Sequence, residues 1–334
     1  MPTVPPASAR RRWLHAAARA ALATGTIGSA PRAARAQGGR SGHTDPAAST
    51  PTTPTSPSTP SKPSTPTTPT PTPTAATPRP ARLAVALGSG SRHGLVHVGV
   101  IRALDARGLR PDLVTGTSAG AIAGALWAAG LDADRIRAAA RPLGWLSGLQ
   151  PALPGRGLLR SDAVRALIDA YTGGRPIEQW PVRFAAVATE LRTGRKVVLD
   201  RGPGGPAVAA SASIPALYEP ITIDGRELVD GGLVEPVPVR TARELGARAV
   251  IAVDIAYRPW EEPVRTPIDA AFQAIHIAVN ALIAEQLAAA DVVIRLDVHR
   301  HFLERDDPSD ALVEAGERAV AAAWPQIAAL AAGR

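Results

Sequence analysis

From Arg82 onward the chain alternates short apolar runs with longer segments of helical period. Arg82–Leu87 reads as a strand running into glycines, Leu95–Ala106 as a helix and Pro111–Thr115 as a second short strand. Gly116 then turns the chain into an alanine-rich helix ending near Ala129. Further strands are predicted over Phe184–Thr189, Lys196–Leu199, Ala249–Asp254 and Val292–Leu296, with a strand-like Glu227–Val229. Helical patterns cover Ser161–Tyr171, Val239–Leu245, Ile268–Ala290 and Ser309–Leu330. Strands that alternate with helices predict one α/β domain of about 250 residues, spanning 81–334, with a mostly parallel sheet covered by helices on both faces. No internal repeat is evident.

The first 80 residues follow neither period. Arg10, Arg11 and Arg12 precede Trp13 and Leu14, and a weakly apolar run from Ala16 to Ile27 follows, broken by Arg19. This resembles a twin-arginine export signal, whose usual form is Arg-Arg-x-Phe-Leu-Lys, with Trp13 for Phe and His15 for Lys. Ala34-Arg35-Ala36 supplies the small-x-small pattern for cleavage before Gln37, so residues 1–36 are expected to be a signal peptide. A disordered basic tail is the plainer alternative. From Pro51 to Pro69 proline recurs at every third position among serines and threonines. That spacing is one turn of polyproline II, so residues 37–80 are expected to be an extended linker with almost nothing to bury.

Charge changes its meaning once it is mapped. The formal net charge is +8, yet residues 1–80 hold eight arginines, Lys62 and a single acid, Asp45, so bases and acids balance from 81 onward. The basic character belongs to leader and linker, which argues against nucleic-acid binding by the folded domain. No cysteine is present, which excludes a disulfide framework and a lipoprotein anchor. No run of about 18 uncharged apolar residues occurs, so no transmembrane helix is expected, and the mature protein is expected in the periplasm or outside the cell.

Three segments carry chemistry. Gly116-Thr117-Ser118-Ala119-Gly120 is G-x-S-x-G between a strand and a helix, the setting of a nucleophile elbow. At a helix N-terminus, backbone N–H groups and the helix dipole favour negative charge developing beside Ser118. A serine hydroxyl needs a base, and Asp230, followed by Gly231 and Gly232, stands at the end of a strand-like run on a loop that glycine is expected to keep open. Alone, Asp-Gly-Gly reads as a turn as readily as a base. The third segment, Gly88-Ser89-Gly90-Ser91-Arg92-His93-Gly94, places small residues between strand and helix, where N–H groups bind a phosphate or an oxyanion. A dinucleotide fingerprint fits poorly, because its third glycine falls one position late, at Gly94, and Asp112, the nearest acid, precedes its strand.

In this order the three segments resemble the patatin-like phospholipase family, and the resemblance extends through Leu83–Gly88, Gly94–Leu104 and Ala209–Pro220 to Leu228–Gly232. It implies a three-layer α/β sandwich and a lipid acyl hydrolase of phospholipase A or lysophospholipase type. It further implies a Ser118–Asp230 dyad without histidine, no cofactor, no metal and a phospholipid or other acyl ester as substrate. N–H groups of Gly90 and Ser91, with Ala119, would form the oxyanion hole. The family loop usually reads Gly-Gly-Gly-x-Arg-Gly, whereas here Arg92 comes one place early and His93 fills its position.

Other readings stay open beside this one. A Ser–Asp–His triad would draw on His276, His299 or His301, the first in an apolar helix and the other two beyond the last strand. His97 lies on the first helix and suits packing. A non-catalytic acyl-chain binding protein on the same fold is a further alternative. Leu143–Leu159, apolar and broken by glycine and proline, suits a flap, a peripheral lipid contact or a packed loop.

Overall fold

The computed structural model describes residues 81–90, 93–140, 162–255, 264–296 and 309–332. The expected leader, linker and 143–159 segment lie outside them, as do Ser91, Arg92, His299 and His301.

The frame is an eight-stranded sheet. Its strands are β1 (Leu83–Leu87), β2 (Leu113–Thr117), β3 (Arg183–Glu190), β4 (Lys196–Leu199), β5 (Ile221–Ile223), β6 (Arg226–Asp230), β7 (Ala249–Asp254) and β8 (Val292–Arg295). They lie in the order β5-β6-β3-β2-β1-β7-β8, with β4 also paired to β3. β3, β2, β1, β7 and β8 run parallel; β4 and β6 pair antiparallel to β3, and β5 antiparallel to β6. β1 and β7 are buried along their length, and apolar except for Asp254 at the end of β7, because helices cover both faces.

The helices among the described residues are α1 (Leu95–Asp105), α2 (Ala119–Ala128), α3 (Ala133–Ala140), α4 (Asp162–Thr172), α5 (Gly204–Ser211), α6 (Val239–Glu244), α7 (Pro267–Leu287) and α8 (Ser309–Ala332). Leu83, Val85 and Leu87 of β1 face a large core shared with α1 to α5 and α8, while Ala84 and Ala86 face a smaller one with α6 and α7. The result is the expected three-layer α/β architecture. α2 is buried at every position, which explains why its sequence, AGAIAGALWA, has no polar side.

Two departures from the sequence expectation matter for the site. β2 runs on to Thr117 rather than ending at Thr115, because Gly116 and Thr117 keep pairing with Ala186 and Val187 of β3. α3, α5 and β5 are short elements whose residues form no periodic pattern long enough to stand out. α5, the sequence GGPAVAAS, matters most, because it ends at the site.

α7 departs from the sequence expectation in another way. Its Asp269–Leu287 stretch has a mean hydropathy of 1.2, enough in length and composition for a membrane span, yet only 17% of it is buried. Its uncharged run stops short of a membrane span, since Asp269 caps one end and Glu285 pairs with Arg240 near the other. Between them, Ala270–Ala284 contains no Asp, Glu, Lys or Arg. The helix docks through Ile283, Gln286 and Leu287, while none of residues 269–282 is buried. At about 1.5 Å per residue it is about 30 Å long, against about 13 Å for β7 from Val250 to Asp254. It begins after the carboxyl end of β7, so its first half projects past that edge of the sheet.

α1 and α8 cross at two glycines. A methyl group on Gly99 would sit 1.9 Å from the Val313 carbonyl oxygen, and one on Gly316 would sit 2.3 Å from that of Val96. Gly316→Val is therefore expected to cost about 2–3 kcal/mol and to lower Tm by on the order of 5 °C. Ala322→Val, at an exposed position of the same helix, is expected to cost less than a third of that. Thermal unfolding of both variants checks the crossing.

Candidate active site

β3 brings the two candidate catalytic residues together. Its Ala186 and Val187 pair with Gly116 and Thr117 of β2 on one side and with Leu199 and Val198 of β4 on the other. One step further, Ala188 and Thr189 pair with Asp230 and Val229 of β6 while still paired with β4. A strand residue has only two edges, so β2 and β6 must lie on the same side of β3, meeting with their carboxyl ends opposed. Ser118 follows Thr117 and Asp230 ends β6, so adjacent positions on β3 fix them as neighbours.

The turn out of β2 is tight. Ser118 adopts φ 56° and ψ −120°, a region costly for a residue with a side chain and held only by surrounding structure. Space for the turn comes from its glycines: a Cβ on Gly120 would lie 2.1 Å from the Leu87 carbonyl oxygen, and one on Gly116 would lie 2.5 Å from the Ala121 Cα. Asp-Gly-Gly proves to be a close approach and not an open loop. Gly231–Leu233 form a short 3-10 turn, and a Cβ on Gly231 would come within 2.1 Å of the Val187 carbonyl oxygen.

Ser118 and Asp230 are 5% and 6% exposed. Burial pushes the Asp230 carboxyl up to about 6, against the opposing effect of hydrogen bonds donated by the Ser118 hydroxyl and the Gly232 N–H, the latter 2.7 Å from Oδ1. Neither partner is a histidine. The Asp230 backbone is held as well: its N–H donates to the Ser213 carbonyl at 2.8 Å, and its carbonyl accepts from Thr189 Oγ1 at 2.8 Å. Thr117 Oγ1 donates to the Glu235 carbonyl at 2.8 Å, tying the elbow strand to the chain just after the aspartate. The buried Glu235 carboxylate accepts from the Thr241 N–H and hydroxyl and pairs with Lys196 of β4 at 3.0 Å.

A few N–H groups remain to receive negative charge. Those of Gly88 and Ser89 are engaged by the Val253 and Pro236 carbonyls, and that of Ser118 by the Ser211 hydroxyl at 3.0 Å. Among the described residues, the N–H groups of Gly90 and of Ala119, at the first turn of α2, have no acceptor. These are two of the three expected oxyanion donors; the third, Ser91, lies outside the described residues. Gly94 caps α1, and His97 is fully buried one turn on, with Nε2–H donating to the Gly88 carbonyl at 2.8 Å. Burial holds the His97 imidazole down to about 4, so it stays neutral while fixing the glycine-rich loop.

The other sequence readings fare unevenly. Asp112 accepts from the Arg82 and Leu83 N–H groups at the start of β1, the end of the sheet away from Ser118, so it serves no nucleotide ribose there. His276 sits in the projecting half of α7. Sequence reasoning assigns no role to Ser211, Ser213 or Glu235. The first two lie inside the Ala209–Pro220 stretch that carries part of the family resemblance, and that was the available signal.

Fold and site together define an α/β protein with a serine elbow facing a buried carboxylate. Residues 85–243 match the family described as patatin-like phospholipase. An uncharacterized NTE family protein of Mycobacterium tuberculosis is 38% identical over 177 residues, covering 52% of this chain and 49% of the relative. Patatin-like phospholipase domain-containing protein 6 of Mus musculus is 32% identical over 183 residues, covering 52% of this chain and 13% of the relative. The chain thus spans about half the length or less of these curated relatives. Among solved structures, VipD from Legionella pneumophila aligns over 73% of this chain and 66% of its own, at 14% identity and a TM-score of 0.49.

Because Asp230 is more easily protonated when folded, the sign of its pH linkage is fixed. Its contribution to stability is fully present below pH 3.8 and fades as pH rises through about 6, leaving a buried charge above that. Asp230→Asn is expected to be more stable than the wild type at pH 8, by on the order of 3 kcal/mol. The difference should close near pH 4. Melting curves at both values check this, and a less stable variant at pH 8 contradicts it.

Proposed function

We propose that the protein is a serine carboxylic-ester hydrolase acting on lipid acyl esters, of phospholipase A or lysophospholipase type, through a Ser118–Asp230 dyad. The observation that carries this reading is the meeting of β2 and β6 on one edge of β3, which sets a serine held at an elbow beside a buried carboxylate. A carboxyl raised to about 6 is still ionised at neutral pH, yet is a stronger base than an ordinary aspartate. Ser118 Oγ attacks the ester carbonyl and its proton passes to Asp230, while the N–H groups of Gly90 and Ala119 receive the oxyanion. Collapse breaks the ester C–O bond, and the leaving alcohol takes the proton from Asp230. Water then attacks the acyl-enzyme and gives a proton to Asp230. Ser118 recovers it as the free acid departs. No step requires a metal or cofactor.

The altered loop, with Arg92 and His93 where the family has x-Arg, favours one competing reading, acyl-chain binding without turnover. Hydrolysis of p-nitrophenyl acyl esters separates the two. Ser118→Ala and Asp230→Asn are expected to lower kcat at least about 10³-fold, with His276→Ala within about threefold of wild type. Wild-type turnover no greater than that of Ser118→Ala sinks the enzyme reading, and loss in His276→Ala revives the triad. In the active protein kcat/KM should rise through about pH 6 and level off above it, following ionisation of the base.

Peripheral contact with a lipid surface is part of the proposal. The uncharged Ala270–Ala284 stretch of α7 projects at the carboxyl edge of the sheet, where Ser118 also lies. Binding to phosphatidylcholine vesicles should then depend only weakly on salt. We further propose that residues 1–36 direct export to the periplasm or beyond, leaving a mature chain near neutrality. Arg10→Lys with Arg11→Lys should hold the precursor in the cytoplasm, and unchanged export would count against that address.

A further inference from the structure

Ser211 is fully buried at the last position of α5, and its hydroxyl makes two bonds that join three elements. It accepts from the Ser118 N–H at 3.0 Å and donates to the Val187 carbonyl of β3 at 2.6 Å. Val187 is the last β3 residue paired with β2, and Ala188 is the first paired with β6. The hydroxyl therefore sits at the junction where one strand leaves β3 and the next arrives. Ser118 has turned out of the ladder there, and the hydroxyl links its N–H back to β3. Two residues on, the Ser213 carbonyl accepts the Asp230 N–H at 2.8 Å, and the Ser213 hydroxyl donates to the Ala209 carbonyl at 2.8 Å, fixing the end of α5. One three-residue segment thus grips the backbones of both members of the dyad.

We infer that Ser211 is a positioning residue for the nucleophile, holding Ser118 in its unfavourable backbone conformation with the hydroxyl aimed at Asp230. This rests on the dyad reading above. The chemistry is specific, because only a group that both accepts and donates can serve an N–H on one side and a carbonyl on the other. Bound in this way, the Ser118 N–H is withdrawn from the oxyanion hole, leaving that task to Gly90 and Ala119. Removing the hydroxyl leaves a buried donor and a buried acceptor unpaired at the elbow. Ser118 then loses the tie that sets its φ, and its hydrogen bond to Asp230 lengthens.

The test compares wild type, Ser211→Ala, Ser211→Cys and Ser118→Ala on a p-nitrophenyl acyl ester, with pH profiles and melting curves for each. Ser211→Ala is expected to lower kcat about 10- to 100-fold through misplacement of the attacking oxygen, with KM unchanged within a factor of two. Its ascending pH limb should move to higher pH, since a weaker hydrogen bond from Ser118 no longer favours the charged carboxylate. Ser211→Cys keeps the volume with a much weaker donor and acceptor, and it carries the same comparison if the alanine variant does not fold. An unmoved pH limb and near wild-type kcat in whichever variant folds, with Ser118→Ala inactive, overturns the positioning role alone. Retained activity in Ser118→Ala overturns the dyad reading instead.

Discussion

The arrangement depends on one edge of β3 being shared by two strands that meet carboxyl end to carboxyl end. A parallel neighbour covers that edge up to Val187, and an antiparallel one takes over at Ala188. Such a junction breaks a hydrogen-bonded ladder in the interior, where unpaired backbone groups are costly. The break is closed by side chains: Ser211 bridges the Ser118 N–H to the Val187 carbonyl, and Thr117 and Thr189 bond carbonyls on the facing chain. The same discontinuity frees Ser118 to turn outward and lets Asp230 end its strand beside it. Glycine at 231 is then a steric requirement, because the chain leaves the junction against the Val187 carbonyl.

Burial does the electrostatic work. Among the described residues no cation contacts the Asp230 carboxylate, and burial is the largest influence on its proton affinity, against a hydroxyl and an N–H that lower it. Glu235, five residues later, is as deeply buried but is paired with Lys196 and bonded twice by Thr241. Two carboxylates on one loop are thus placed in opposite settings. The paired one anchors the chain, and the other is left with a raised affinity for a proton. His97 shows the same economy, since a fully buried neutral imidazole can serve as a fixed donor to Gly88 without titrating near neutrality.

Layering places these parts toward one edge of the molecule. Parallel strands deliver the carboxyl ends of β1, β2 and β7 to one side, which is where the glycine-rich loop, the elbow and the start of α7 are found. α7 is anchored by Gln286, whose side chain meets the Val237 N–H and the Val234 carbonyl just beyond the aspartate turn. Its uncharged half therefore extends from an element attached to the site.

Period and motif were legible in the sequence because they are local. Strands such as LAVAL and AVIAVD, the long helices and G-x-S-x-G each carry their signal within a few residues, and the ordered set of three motifs pointed to Ser118 and Asp230. The expected openness of Asp-Gly-Gly was not borne out, because what its first glycine accommodates is the Val187 carbonyl, a group 44 positions earlier in the chain. Ser211 stayed invisible for the same reason: a lone serine in an alanine-rich segment gives no local sign that its partners lie on β2 and β3. The sequence by itself determined the main elements, their alternation and which residues are candidates for the chemistry. The tertiary structure alone decided which strand ends meet, how deeply the carboxylate is buried and what holds the elbow, since each depends on contacts between segments far apart along the chain.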